Sequence, residues 1–114
     1  FILYTYQISS EASENNNLAL ASETVKKIGE FSDWVYLQGE PAKITFSIVI
    51  PKNVEEILFL NKTLVFKVKT SAGISDIYYN SIANLTGYLP KNEGEYLISI
   101  QAIKGGVNIS VASS

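Results

Sequence analysis

The strongest constraint on the fold is a change in hydrophobic periodicity at residues 37–41, LQGEP. Before this point apolar residues recur every three or four positions, which predicts one face of an amphipathic α-helix. We call these residues the apolar stripe; they are Leu18, Ala21, Val25, Ile28, Phe31 and Val35. Gly39 suits a helix C-terminal cap and Pro41 cannot continue a helix, so we expect the helix to end here.

After residue 41 the period becomes two, the pattern of strands buried on one face. Candidate strands cover residues 42–50, 54–60, 63–70, 74–79, 96–103 and 107–112, with a short strand or irregular crossing within 80–90. Six or seven short strands without a helix between them favour an immunoglobulin-like antiparallel β-sandwich. We therefore expect a mainly β fold, with an N-terminal helical region at residues 1–38 and a sandwich domain at 39–114.

The chain opens with FILYTYQ and then turns abruptly polar. One interpretation is the outer end of a membrane or filament-core helix, which would place Tyr4 and Tyr6 at the lipid headgroups. The alternatives are a core strand of this domain or a strand donated to a neighbouring subunit. We favour the helix, and its candidate packing residues are Phe1, Ile2, Leu3, Tyr4 and Tyr6. Position 1 is not Met, so we expect that an upstream segment has been removed.

The composition argues against an enzyme. The chain has no His and no Cys, the commonest sources of general bases, thiol nucleophiles and transition-metal ligands. All cations are Lys and the net charge is −2, which disfavours nucleic acid as a partner. The carboxylates Glu55, Glu56, Asp76, Glu93 and Glu95 lack the spacing of a calcium loop, so we interpret them as solvated charges. No catalytic residue, cofactor or metal site is predicted.

Three sequons for N-linked glycosylation occur, at Asn61, Asn84 and Asn108. In a secreted chain such sequons can carry glycans on exposed segments. Asn61 lies in a predicted turn and is the best candidate. Asn108 lies in a predicted strand and would have to face solvent.

Two aromatic groups have alternative interpretations. Trp34 and Tyr36 lie at the end of the predicted helix, where they form either an exposed binding patch or, as we favour, a seal against the sheet. Tyr78, Tyr79 and Tyr88 lie near a predicted crossing loop. They could bind carbohydrate or a partner, but core and edge packing is the favoured use.

The layout of the chain resembles archaeal type IV pilin-like proteins that carry class III signal peptides. The residues behind this resemblance are the amphipathic stretch SENNNLALASETVKKIGEF, the aromatic–Gly segment WVYLQGEPAK, the strand ITFSIVIP and the strand EGEYLISIQAI. In that family a prepilin peptidase removes a short basic leader, and an apolar helix of about two dozen residues, long enough to span a bilayer, follows. A small β-domain then lies outside the membrane.

The resemblance implies a structural, extracellular protein that forms a homopolymeric filament at the archaeal cell surface. Before assembly its N-terminal helix would anchor it in the membrane, and afterwards that helix would lie in the filament core. Lateral contacts would use the apolar stripe, from Leu18 to Val35, and the sandwich edges. The alternative function is a membrane-anchored accessory module of the archaellum whose β-sandwich contacts the surface-layer protein.

Overall fold

The computed structural model describes the backbone of residues 2–113 and the side chains of residues 17–112. One long helix precedes seven strands. The elements are α1 (Ile2–Gln38), β1 (Lys43–Ile50), β2 (Val54–Leu60), β3 (Thr63–Thr70), β4 (Gly73–Asn80), β5 (Asn84–Gly87), β6 (Gly94–Ile103) and β7 (Gly106–Ser113). The expected order of a helix followed by strands is confirmed, and the region 80–90 supplies the short strand β5.

The strands form two sheets of a sandwich-like fold. The first sheet has the order β1-β6-β7-β5, and the second has the order β2-β3-β4. Neighbouring strands are antiparallel except β5 and β7, which are parallel, so the prediction of a wholly antiparallel sandwich is wrong at that pair. The strand order also differs from that of immunoglobulin constant domains, which place their first, second, fifth and fourth strands in one sheet. Here β1 shares a sheet with β5, β6 and β7 instead.

Helix α1 ends where the sequence predicts. Gly39 has a φ of +76°, and its amide nitrogen donates to the carbonyl oxygen of Val35 at 3.1 Å. This left-handed conformation carries little steric cost for glycine, which lacks a Cβ. The chain then reverses through Pro41, and β1 begins at Lys43.

The apolar stripe is buried in the core of its own domain. Four of its residues are at most 1% exposed: Ala21, Val25, Ile28 and Val35. Leu18 and Phe31 are partly buried against the same core. α1 contacts β1, β6 and β7 of the first sheet and β3 and β4 of the second, so it closes the space between the sheets. The sheets already cover the surface of these four residues, and the lateral contacts predicted for the stripe stay a prediction.

Polar side chains of α1 also cover the outer edge of β1. Thr24 Oγ1 donates to the carbonyl oxygen of Val49 at 2.8 Å, and Lys27 Nζ donates to that of Ser47 at 2.9 Å. These two carbonyls face away from β6 and would otherwise be open to another strand. Covering an edge strand with a helix prevents pairing with other chains. Two carbonyls of this sandwich edge are therefore already bonded within the domain, and the lateral contacts predicted for the edges stay a prediction.

The direction of α1 distinguishes two ends of the domain. Near residue 17, Asn17 Nδ2 donates to the carbonyl oxygen of Lys52 at 2.9 Å; we call this the proximal end. Farther along α1, Asp33 bonds Ser81, just after β4 ends. The amide of Ser81 donates to the carbonyl oxygen of Lys62, in the β2–β3 turn, at 2.7 Å. We call this end, where α1, β2 and β4 all finish, the distal end.

The opening of the chain has a helical backbone from Ile2 onward. This agrees with the helical interpretation and with neither strand interpretation. Phe1 and the side chains of Ile2, Leu3, Tyr4 and Tyr6 lie outside the described residues, so their contacts with a membrane or a filament core stay predictions. Within the described part of the chain, no helix is both long enough and apolar enough to cross a membrane.

Candidate glycosylation and contact surfaces

The fold brings the three sequons together around β5. The amide of Leu85, which follows Asn84, donates to the carbonyl oxygen of Asn61 at 2.7 Å. Thr86, the hydroxyl residue of the Asn84 sequon, lies opposite Asn108 in the parallel ladder. Asn84 Nδ2 donates to the carbonyl oxygen of Gly105, in the β6–β7 turn, at 3.1 Å. Successive acceptor asparagines are separated by 23 and 24 positions in the sequence. The three sequons nevertheless lie in one region at the distal end.

The three acceptor asparagines differ in accessibility. Asn61 is exposed at the tip of the β2–β3 hairpin with a φ of +58°, a conformation in which Asn is enriched. The prediction that Asn61 lies in a turn is confirmed. Asn84 is exposed on β5, and Asn108 is partly buried on β7. A strand holds the acceptor in an extended ladder, so Asn61 has the most freely presented side chain of the three.

We expect mass spectrometry of glycopeptides from the native host to find the highest occupancy at Asn61. Asn61→Gln should then remove one glycan mass without altering the unfolding midpoint by more than the matched variant does. Asn53→Gln is that variant, because Asn53 is also exposed in a turn with a φ of +65° but heads no sequon. Full occupancy at Asn108 with an unmodified Asn61 would contradict this ranking.

The outer face of the first sheet is polar in its middle, and it also carries the exposed apolar residues Val49, Leu97 and Ile103 and the charged residues Lys43 and Glu95. Cross-strand partners on this face include Thr45 and Ser99, Ser99 and Ser110, and Gln101 and Asn108. The hydroxyl oxygens of Thr45 and Ser99 lie 3.1 Å apart. We call this surface the polar face; its uncharged polar members are Thr45, Ser47, Asn84, Thr86, Ser99, Gln101, Asn108 and Ser110. Two of the three sequons lie on it.

The outer face of the second sheet is different. Leu58, Val65 and Tyr78 form one cross-strand row, and Glu56, Lys67 and Asp76 form the next. Lys67 Nζ lies 3.2 Å from Asp76 Oδ1. Leu60 and Ile74 are exposed on the same face, and Tyr78 is 63% exposed. We call the surface formed by Leu58, Leu60, Val65, Ile74 and Tyr78 the apolar face.

The exposure of the aromatic side chains agrees with the favoured packing role for Tyr79 and disagrees with it most clearly for Trp34 and Tyr88. Trp34 is 49% exposed and Tyr36 is also exposed, because Val35 between them takes the inward position on the helix. Tyr78 points outward from β4, and Tyr88 borders an open hollow of about 510 Å³ with Pro90 and Val111. Tyr79 does pack inward, beside α1.

Asp33 of α1 forms hydrogen bonds with β4 and with the segment that connects β4 to β5, and we call this set of contacts the polar clamp. It was not predicted from the sequence. Asp33 accepts hydrogen bonds from the Tyr79 hydroxyl at 2.8 Å, from the Ser81 hydroxyl, and from the amide of Ile82 at 3.0 Å. One turn earlier, Gly29 provides the space in which the Tyr79 ring lies against the helix. The pair Gly29 and Asp33, four residues apart on one helix face, is the local signal that could have indicated a docked aromatic residue.

The clamp changes the acidity of Tyr79. Burial, the hydrogen bond to Asp33 and the negative charges of Asp33 and Glu30 together raise the pKa of Tyr79 to about 12, with burial the largest cause. The folded protein therefore binds the phenolic proton more tightly than the unfolded chain does. The resulting stabilisation is complete below the ordinary Tyr pKa of 10.0 and is lost as the pH rises through about 12.

We expect the urea midpoint to fall as the pH rises from about 10 to about 12. Tyr79→Phe should show a smaller fall over the same range, since it retains the other titrating groups but lacks this phenol. Denaturation curves of both proteins at several pH values provide the measurement. An identical pH dependence of the two midpoints would show that Tyr79 is not linked to folding.

The predicted carboxylates do not converge on a metal site within the described part of the chain, where no group of three or more His, Cys, Asp or Glu side chains could hold an ion. Asp76 instead pairs with Lys67. Comparison of the chain with protein-family models gave no matching family, and comparison with curated proteins and with solved structures gave no match either.

Proposed function

We propose that this chain is a structural cell-surface protein, a subunit of an archaeal type IV pilus-like filament. The observation that supports this most is the length of α1 relative to the sheets on which it packs. Its 37 residues span about 55 Å, whereas the ten residues of β6 span about 33 Å. The longest dimension of the molecule is 57 Å, against 24 and 20 Å for the others.

One part of α1 is fixed in the domain and the other is available for assembly. Asn17 bonds the proximal end of the sheet, and residues from Leu18 to Val35 pack on the core. By length, the earlier part of α1 extends past the proximal end by about 20 Å. In the proposed filament this part continues an apolar helix that lies in the membrane before assembly and among copies of itself afterwards.

The sequon positions agree with this arrangement. Asn61 and Asn84 lie at the distal end, opposite the part of α1 that would enter the membrane or the filament core. Glycans there would project away from the assembly axis and into the surroundings of the cell. The β-domain would then form a glycosylated outer wall, and the location would be extracellular.

The proposal is tested by shearing surface fibres from the source cells and identifying their components by mass spectrometry. We expect peptides of this chain to dominate the purified fibres. Fibres that lack the chain, with the chain retained in washed envelopes, would contradict the proposal. A strain deleted for the gene provides the control and should lose these fibres.

A second candidate function is a membrane-anchored archaellum accessory module that contacts the surface layer. The observation that favours it is an exposed apolar cluster at the distal end, formed by Trp34, Leu37 and Ile82. Trp34 and Leu37 are neighbours on the helix surface, and the amide of Ile82 is held at Asp33. A module anchored by α1 would present this cluster to a surface-layer protein. Retention of the chain in envelopes, together with its co-purification with that protein, would favour this function.

A further inference from the structure

We propose that the apolar face of the second sheet is the surface through which the β-domain of one subunit contacts the β-domain of the next. The partner is a second copy of this chain. The inference rests on the proposed function, because it requires that the chain assembles with itself. It adds a contact surface that is separate from the helix and lies on the opposite side of the sandwich from the polar face.

The two outer faces of the sandwich differ in what they offer a partner. The polar face carries the sequons of Asn84 and Asn108, and its exposed apolar residues Val49, Leu97 and Ile103 are each at most 39% exposed, against 53–63% for Leu60, Ile74 and Tyr78 on the apolar face. None of the five residues of the apolar face is an acceptor asparagine; Asn61 follows Leu60 at the hairpin tip, and Thr63 of its sequon lies opposite Leu60. A glycan on the polar face would hold a neighbouring domain away, so close packing between copies is left to the other side.

The apolar face has the composition of a contact surface. Val65 lies at its centre and is already mostly buried by its neighbours, with Leu58 and the strongly exposed Tyr78 on either side. Leu60 and Ile74 extend the exposed apolar area in both directions along the sheet. Covering such area releases about 25 cal/mol per Å², and Tyr is among the residues enriched at interface centres.

The charges on this face fit a second copy of the same surface. Lys67 and Lys69 balance Glu56 and Asp76. Within the described residues only Lys67 and Asp76 are paired, which leaves Lys69 and Glu56 available to a partner. A surface with equal numbers of both signs is complementary to a copy of itself in a reversed or staggered orientation. A strongly basic or acidic partner would gain nothing from this balance.

At the β1 edge of the first sheet, Thr24 and Lys27 of α1 already bond the carbonyl oxygens of Val49 and Ser47. The apolar face has no such cover from α1, which packs on the inner side of the second sheet. The geometry therefore favours contact through the apolar face over pairing at the β1 edge.

Cysteine labelling in assembled fibres tests the inference. The 114 residues contain no Cys, so Tyr78→Cys on the apolar face and Gln101→Cys on the polar face each add one thiol to this part of the chain. Both positions are exposed in the isolated domain. Each variant replaces the wild-type chain in its native cells, and a maleimide reagent is applied to purified fibres before and after dissociation.

We expect labelling of Tyr78→Cys in intact fibres to be at least about tenfold lower than after dissociation, because interface cores exclude water. Gln101→Cys should label almost equally in both states. Ile74→Cys, at an exposed position on the same face, should repeat the protection if Tyr78→Cys weakens the fold. Equal labelling of Tyr78→Cys and Ile74→Cys in both states would overturn the inference. Fibres without this chain would instead refute the proposed function, so the two failures are distinguishable.

Discussion

Replacing Asp33 with Ala is expected to lower the free energy of unfolding by about 2–4 kcal/mol, since hydrogen bonds to a charged group are each worth about 1.5–3 kcal/mol and this site is partly solvated. The Tyr79 hydroxyl, the Ser81 hydroxyl and the amide of Ile82 would all lose their acceptor. The clamp joins α1 to the segment between β4 and β5, so its loss should loosen the distal end. Urea denaturation followed by circular dichroism gives the measurement.

Two variants control for the helix itself and for the charge. Glu23→Ala removes an exposed carboxylate from α1 and should change the free energy by less than about 0.5 kcal/mol. Asp33→Asn keeps one acceptor oxygen and should fall between Asp33→Ala and wild type. If Asp33→Ala is as mild as Glu23→Ala, the clamp does not hold the two elements together.

Gly29→Ala is expected to destabilise the protein by about 1–3 kcal/mol, the usual cost of overpacking. Helix propensity alone predicts the opposite, a gain of about 1 kcal/mol, because Ala is the better helix former. The steric effect should win because a Cβ at position 29 would overlap the ring of Tyr79, which is itself held by Asp33. The free energy of unfolding of the single variant decides between the two.

A double-mutant cycle separates these effects. In a Tyr79→Ala background the ring is gone, so Gly29→Ala should become stabilising by up to about 1 kcal/mol. In a Tyr79→Phe background the ring remains and the substitution should stay destabilising. Stabilisation by Gly29→Ala in the wild-type protein would show that the ring does not lie on this turn of the helix.

Local sequence patterns predicted the features that depend on neighbouring residues. The end of α1 follows from Gly39 and Pro41, whose backbone preferences act whatever the rest of the chain does. The period of two predicted for residues 63–70 is confirmed in β3, where Leu64, Phe66 and Val68 are buried on one face and Lys67 lies on the other. The spacing of the apolar stripe likewise identified the buried side of α1.

Features set by distant residues were not predictable in this way. The parallel pairing of β5 with β7 follows a crossing at residues 81–83, where the Ser81 hydroxyl and the Ile82 amide donate to Asp33, almost 50 positions away. The exposure of Trp34 follows from which helix face meets the sheets. The apolar stripe predicts which side of α1 is buried, but it does not predict where along α1 the sheets end.

The grouping of the sequons and the composition of the apolar face could not be predicted from local sequence patterns either. Each sequon was visible in the sequence, but their convergence around β5 arises from two separate turns and a parallel ladder. The apolar face was likewise hidden, because Leu58, Val65 and Tyr78 become neighbours only through the register of three strands. The sequence of one strand predicts which residues share a face, but the residues that adjoin them on the sheet surface depend on how the strands pair.

The central claim is that this chain builds a filament through α1, and cryo-electron microscopy of fibres sheared from the source cells tests it most directly. The account predicts a core of packed helices whose density continues into α1, with the two sheets of this domain on the outside. Fibres whose density fits another chain, while this one stays in the washed envelopes, would contradict the account and favour a membrane-anchored binding module.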